Sequence, residues 1–325
     1  MHNSNYIVSN SIGSNYIGRF APSPTGPLHF GSLIAAVASY CEAKVNHGKW
    51  LIRIEDIDKP RKMAGAADAI LRTLEGSGFE WDDTVIYQSQ RAHLYEEALN
   101  TLKQQHLIYP CTCSRKEIAD SSTQTGIEGK IYPKTCLTNA PEANIHAALR
   151  AVTTAKIIRF KDAIQGEISQ NLAHEIGDFV LKRADGIVAY QLAVVVDDAA
   201  QGVTHIVRGA DLLHSTCRQI YLQTLLGFNT LGFSTPSFST PGFSTPSYAH
   251  VPIACNANGE KLSKQTLAEP ISMRLPEHQL FEALRFLGQN PPIDMQNATL
   301  ADMWRWAISH WQLSKIPKLR QISFG

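Results

Sequence analysis

The run from Tyr16 to Ile54 restricts the fold more than any other part of the chain. Tyr16 to Phe20 reads as a short strand. It enters a loop from Ala21 to Gly31 that is stiffened by Pro22, Pro24 and Pro27 and freed at Gly26 and Gly31. Ser32 to Lys44 then sets Leu33, Ala36, Val37 and Tyr40 at helical spacing, and Trp50 to Ile54 reads as a second strand. Strand, tight Gly/Pro turn, helix and strand form a βαβ unit. Such a unit opens a doubly wound parallel sheet, so the expected class is α/β with a Rossmann-like core.

Ala64 to Gly76 and Arg91 to His106 are expected as helices. From residue 110 to about residue 150 periodicity fades and Cys, Thr, Ser, Gly and Pro take over, which marks an inserted module between the halves of the core. The first half spans 16–109 and the second 151–275. Val188 to Asp197 is an apolar run expected as a central buried strand. A short strand at His205 to Val207 and a helix from Ser215 to Leu226 follow. Residues 229–248 carry Phe-Ser-Thr-Pro repeated from Phe233, Phe238 and Phe243, and a Pro in every unit forbids helix and central strand, so a surface loop is expected there, with the fold resuming at His250. Residues 276–325 are expected as a short helical segment, with helices over Pro276 to Leu287 and Thr299 to Trp311; Thr299 and Asp302 have capping-box spacing. Residues 1–15, polar and rich in Asn and Ser, are expected as a disordered tail.

Composition narrows the functional classes. A hydrophobic fraction of 44% and a charged fraction of 18% suit a soluble globular chain. No apolar run reaches the roughly 18 residues of a membrane span, and the N-terminus lacks a secretory pattern, so a cytoplasmic protein without a membrane partner is expected. A net charge of +1 means that any RNA contact rests on local patches. Three of the six cysteines crowd between Cys111 and Cys136, and in a reducing compartment clustered thiols favour metal or catalysis over disulfides.

Three constellations carry chemistry. The loop after the first strand delivers His29 and Gly31 to a helix start, where unpaired N–H groups and the macrodipole bind phosphate. Alone, such a His also serves as a cap. Lys261-Leu262-Ser263-Lys264-Gln265, after Asn258-Gly259, sets two lysines on a loop that can neutralise polyphosphate; alone it also reads as a solvated turn. Cys111, Cys113 and Cys136 offer three thiolates, either as small apolar core residues or as a zinc site needing a fourth ligand, with His106 a candidate. Cys41, Cys217 and Cys255 read as core.

Taken together these motifs resemble a family. His29-Phe30-Gly31-Ser32 resembles the HIGH signature and Lys261 to Gln265 the KMSKS signature of class I aminoacyl-tRNA synthetases. Arg19 to Gly26, Arg53-Ile54-Glu55-Asp56-Ile57-Asp58 and Gly202 to Asp211 resemble the glutamyl/glutaminyl branch, and Tyr190 to Asp198 resembles its short paralogues that act on queuosine in tRNA(Asp). About 55 residues follow Pro270, which leads to the expectation that no anticodon-reading domain is present. The resemblance implies ATP with Mg²⁺, L-glutamate and queuosine-containing tRNA(Asp) as partners. It implies catalytic roles for His29 and Lys264, and ATP binding by His29, Gly31, Lys261, Ser263 and Lys264. It implies a glutamate pocket of Arg19, Phe20, Ala21, Pro22, Ser23, Glu55, Tyr190 and Arg208. The residue types agree: Arg19 and Arg208 can fork onto carboxylates, Glu55 can accept from an ammonium, and strand parity turns Arg53 and Glu55 to one face. It also implies one structural Zn²⁺ on Cys111, Cys113, Cys136 and Tyr132, with His106 still open as the fourth ligand. Asp56 and Asp58 read as turn or capping residues. Two rivals remain: a truncated glutamyl-tRNA synthetase charging the tRNA 3′ end, and a non-catalytic RNA-binding descendant of a synthetase.

Overall fold

Strand β1 (Ile17–Phe20) runs parallel to β2 (Lys49–Ile54), with Ile17 opposite Lys49 and Phe20 opposite Ile52. Parallel neighbours need a crossover, and α1 (Phe30–Val45) supplies it. The computed structural model describes residues 16–142, 146–228, 245–256, 258–262, 271 and 274–324. The expected 1–15 tail, most of the Phe-Ser-Thr-Pro repeat, and Ser263 and Lys264 lie outside the described residues. Helix α1 is apolar on several faces because it lies between the strands and the C-terminal helices. Gly48 lets the chain turn back: a side chain there would collide with Tyr16 O, while Lys49 N donates to that same oxygen at 2.9 Å.

Helix α2 (Ala66–Gly76) leads to β3 (Ile86–Tyr87), which pairs parallel with β2, and then α3 (Ala92–Gln104). The chain now leaves the sheet. Strand β4 (Ile108–Cys111) begins the inserted stretch, which holds α4 (Arg115–Ser121), the hairpin β5 (Thr125–Gly126) and β6 (Gly129–Lys130), and α5 (Thr135–Thr138). Ser114 and Glu117 form a complete capping box on α4, which explains a helix in a segment with little periodicity. Strand β7 (Ala148–Ala151) returns antiparallel to β4.

The hairpin β8 (Ile157–Asp162) and β9 (Gly166–Asn171) follows, then α6 (Leu172–Glu175) and β10 (Val180–Lys182), which pairs with β7. Here the sequence reading needs correction. The apolar run expected as a strand from Val188 to Asp197 is a helix, α7 (Tyr190–Ala200). A short apolar run suits a buried strand or a buried helix equally. This one packs against α3 and a later helix, and every residue from Leu192 to Val196 joins one core.

Strand β11 (His205–Gly209), α8 (Leu213–Leu225) and β12 (Ser247–Val251) complete the second half, so the fold resumes at Ser247, earlier than the expected His250. Strand β12 runs parallel to both β11 and β8. The halves join where Thr204 N donates to Ile17 O at 2.9 Å and Ile17 N to Thr204 Oγ1 at 2.8 Å, setting β11 beside β1. After β13 (Ile253–Cys255), helices α9 (Pro276–Phe286) and α10 (Leu300–His310) cover α1, and β14 (Gln321–Ser323) pairs parallel with β13. Thr299 caps α10 by accepting from Asp302 N, as its spacing implied. Among the described residues no helix is long and apolar enough to cross a membrane.

Candidate active site

Strand parity aims Arg19 on β1 and Arg53 on β2 at the C-terminal end of α7. Asp198 Oδ1 accepts from Arg19 Nε at 3.1 Å and from Arg53 Nη1 at 2.8 Å, and Oδ2 accepts from Arg19 Nη2 at 3.2 Å. Arg53 is fully buried and also donates to Gln201 Oε1 at 2.7 Å and to Glu55 Oε1 at 3.4 Å. Asp197 accepts from Arg91 Nε at 2.6 Å, Gln88 Nε2 at 2.7 Å and Tyr95 OH at 2.8 Å. Burial alone would raise the Asp198 carboxyl, but the guanidinium groups of Arg19 and Arg53 hold it below its ordinary value.

Above this network lies a cavity of about 690 Å³. All eight residues assigned to a glutamate pocket line it: Arg19 to Ser23 as one run, then Glu55, Tyr190 and Arg208. Pro22 O accepts from Glu55 N at 3.0 Å, which ties the proline-rich loop to the end of β2. Burial lifts the Glu55 carboxyl, and Arg53 and Arg19 offset only part of that, leaving it at about 7. Burial also raises the Tyr190 phenol, so it stays protonated. Arg19 already places Nε and Nη2 on Asp198, and Arg208 is held by His250, Thr216, Gln219 and Tyr190.

The same cavity reaches His29, Ser32 and Lys261. His29 caps α1, its ring accepting from Ser32 N at 3.3 Å. A methyl group on Gly31 would come 3.1 Å from Leu262 O and 3.2 Å from the His29 ring, so Gly31 lets the two distant signature motifs meet. Lys261 Nζ donates to Asp211 Oδ2 at 2.6 Å. Asp56, read as a turn residue, is buried and accepts from Ser89 N, Ser89 Oγ and Lys62 Nζ at 2.8, 2.8 and 3.0 Å, binding the end of β2 to the turn before α3.

In the inserted stretch the thiols of Cys111, Cys113 and Cys136 lie within 4.8 Å of one another, with Cys113 and Cys136 sulfurs 3.4 Å apart. Tyr132 OH lies 3.5 Å from Cys113 Sγ and accepts from Cys136 N at 2.8 Å. Burial opposes ionisation of Cys136, yet hydrogen bonds from Tyr132, the Thr112 backbone and the other two thiols bring it down to about 6. His106 is exposed in the turn after α3 and lies outside this group.

Asp197, Asp198, Thr216, Gln219 and His250 carry much of this geometry, and the sequence reading gave none of them a role. One signal was available: Thr216, Gln219 and Gln223 form a polar stripe at helical spacing, beside the apolar Leu213, Cys217, Ile220, Tyr221 and Leu222 of the same helix.

The chain is similar to known proteins over most of its length. The family described as tRNA synthetases class I (E and Q), catalytic domain, matches residues 17–289. Glutamyl-Q tRNA(Asp) synthetase of Dechloromonas aromatica is 52% identical over 308 residues, 94% of this chain and 97% of its own. The protein of that name from Aromatoleum aromaticum is 50% identical over 306 residues, 94% of this chain and 92% of its own. Among solved structures, glutamate–tRNA synthetase from Elizabethkingia anophelis has a TM-score of 0.72 at 23% identity, covering 95% of this chain and 68% of that one, a likeness of fold.

The buried network makes a stability prediction. Asp198→Ala leaves Arg19 and Arg53 without their shared anion, and unfolding free energy in urea should fall by about 3–5 kcal/mol, the scale of breaking a buried pair. A variant as stable as the parent would remove Asp198 from this role.

Proposed function

Because the chain belongs to the class I tRNA synthetases of the E and Q family, we propose that it activates L-glutamate with ATP and transfers the glutamyl group to queuosine in the anticodon of tRNA(Asp). One observation carries this reading: a continuous cavity gathers Arg19, Glu55, Tyr190 and Arg208 with the His29-capped end of α1 and Lys261. Relatives 52% and 50% identical over nearly the whole chain are named for that acceptor.

In the first step the α-carboxylate of glutamate attacks the α-phosphorus of ATP in line. A P–O bond forms, the bond to pyrophosphate breaks, and glutamyl-adenylate results. No protein nucleophile is needed, so the residues position reactants and stabilise charge. Glu55 accepts from the substrate ammonium, and Arg208 and Tyr190 hold a carboxylate. His29 and the first amides of α1 hold ATP phosphates, with Gly31 leaving room for the nucleotide. Lys261, Ser263 and Lys264 meet the leaving pyrophosphate, with Lys264 as its main charge donor and Mg²⁺ accompanying ATP. In the second step a hydroxyl of the queuosine ring attacks the glutamyl carbonyl: an ester C–O bond forms, the acyl–phosphate bond breaks, and AMP leaves as the hydroxyl proton passes to its phosphate or to water.

The same reading assigns a structural zinc to Cys111, Cys113, Cys136 and Tyr132. Ligands at roughly 2.3 Å around a tetrahedral zinc put sulfurs roughly 3.8 Å apart, and the thiol cluster suits that spacing. Zinc there would cross-link a segment with few apolar contacts of its own. The position of His106 outside the cluster favours Tyr132 as the fourth ligand.

Three measurements test these proposals. Radiolabelled glutamate should pass to an isolated queuosine-containing anticodon stem-loop of tRNA(Asp), which has no acceptor end, and not to the same stem-loop without queuosine. Label on queuosine-free tRNA(Glu) that is lost with its 3′ end oxidised would replace this reading with 3′-end charging. In tRNA-free pyrophosphate exchange, kcat/KM for glutamate should fall about tenfold per pH unit as acid protonates Glu55 below its pKa of about 7, because the neutral carboxyl no longer attracts the ammonium. A profile flat across that pKa would exclude Glu55 as the ammonium partner. Metal analysis should find one zinc per chain, lost in Cys136→Ser; a zinc-free parent protein would end the metal assignment.

A further inference from the structure

The cavity treats its buried arginines in two ways. Arg19 and Arg53 are met by the carboxylates of Asp198, Asp197 and Glu55. Arg208 is just as buried, at 4% exposure, and among the described residues its partners are all neutral. Nε donates to His250 Nε2 at 3.0 Å. Nη2 donates to Thr216 Oγ1 at 2.8 Å and to Gln219 Oε1 at 2.7 Å, and Nη1 to Tyr190 OH at 3.4 Å.

The geometry fixes the state of His250. A guanidinium only donates, so His250 Nε2 keeps its lone pair and the ring proton sits on Nδ1, 2.6 Å from Asp162 Oδ2. The imidazole is therefore neutral and separates Asp162 from Arg208. Asp162 has its own partners, since Oδ1 accepts from the backbone N–H groups of Ile164, Gln165 and His250. Gln219 is oriented from its other end: Nε2 donates to Gln191 Oε1 at 3.1 Å, and Gln191 Nε2 donates to Ser215 Oγ at 3.0 Å.

We infer that Gln219, with Thr216 and His250, is a specificity-determining residue that keeps Arg208 hydrogen-bonded yet uncompensated, so that the cavity selects a side-chain carboxylate over a carboxamide. This rests on the reading that the substrate is glutamate. A buried cation with neutral partners remains costly until an anion arrives. The substrate's α-carboxylate has to be free to attack phosphorus, so the anion that answers Arg208 is the side-chain carboxylate. Glutamine offers a neutral oxygen there and leaves the charge unanswered. An acid at position 219 would supply the counter-ion from within and abolish the preference.

The test is kcat/KM for glutamate and for glutamine in tRNA-free pyrophosphate exchange. In Gln219→Glu, nearly isosteric, the glutamate-to-glutamine ratio should fall at least about thirtyfold, chiefly through glutamate, while the melting temperature does not drop. Gln219→Met removes the acceptor without adding charge; both rates should fall together and the ratio stay within about threefold. Thr216→Asp, one turn earlier on α8, repeats the charge test if Gln219→Glu does not fold. An unchanged ratio in the acidic variants, or an equal loss of ratio in Gln219→Met, overturns the inference alone. Absence of glutamate-dependent exchange in the parent protein overturns the functional reading and this inference with it.

Discussion

Two consecutive carboxylates at the end of α7 hold the cations of the cavity floor in place. Asp198 ties Arg19 of β1 to Arg53 of β2, and Asp197 ties the start of α3 to the same point through Arg91 and Gln88. A guanidinium as deeply buried as that of Arg53 is tolerable only when anions and acceptors answer it. The partners come from residues about 145 and 179 positions apart in the chain, so the first half of the core cannot seat its polar face until the second half arrives. This network also decides which way Arg19 and Glu55 face, and so where a ligand can sit.

Much of the scaffold was legible because it follows from local pattern. The βαβ opening, the parity of Arg53 and Glu55 and the Thr299 cap depend on residues close in sequence, where periodicity and capping chemistry speak directly. The meeting of Gly31 with Leu262 became legible only through two motifs recognised together, since neither loop alone specifies its partner. The run from Val188 to Asp197 misled because a helix enclosed on several sides has no polar face to reveal its period. The shell of Arg208 was hidden for another reason. Thr216, Gln219 and His250 are neutral polar residues on two elements, and their role exists only once α8 and β12 are packed against β11.

The inserted stretch is wired into the core rather than strung from it. Strands β4, β7 and β10 form one antiparallel sheet, so the stretch enters and leaves through hydrogen-bonded neighbours. Asp178, just before β10, accepts from Tyr109 OH and from Thr153 N and Oγ1, each at 2.7 Å. Arg150 on β7 donates to Asp178 O and lies 4.2 Å over the Tyr132 ring beside the cysteine cluster. Tyr132 therefore touches both the thiols and the sheet that leads to α7. Strand β7 pairs with β10, and β10 in turn contacts α7, the helix that carries Tyr190, Asp197 and Asp198.

The two arginine environments also explain why Glu55 can sit near neutrality. Its strand neighbour Arg53 is already occupied by Asp198, so the ion pair at 3.4 Å is too weak to overcome the burial of the Glu55 carboxyl. With its pKa raised from 4.5 to about 7, the folded protein binds a proton there that the unfolded chain releases, and stability from this group declines as pH rises through that interval. Near neutral pH the cavity thus presents at Glu55 a carboxyl group that is readily ionised and, at Arg208, a cation whose partners among the described residues are neutral. Under the proposed assignment, a zwitterion with an acidic side chain would answer both at once, its ammonium meeting Glu55 and its carboxylate meeting Arg208. Selectivity in that proposal would come from the unbalanced charge of each partner more than from the number of hydrogen bonds, because a neutral ligand could satisfy the same donors and acceptors and still leave both charges buried.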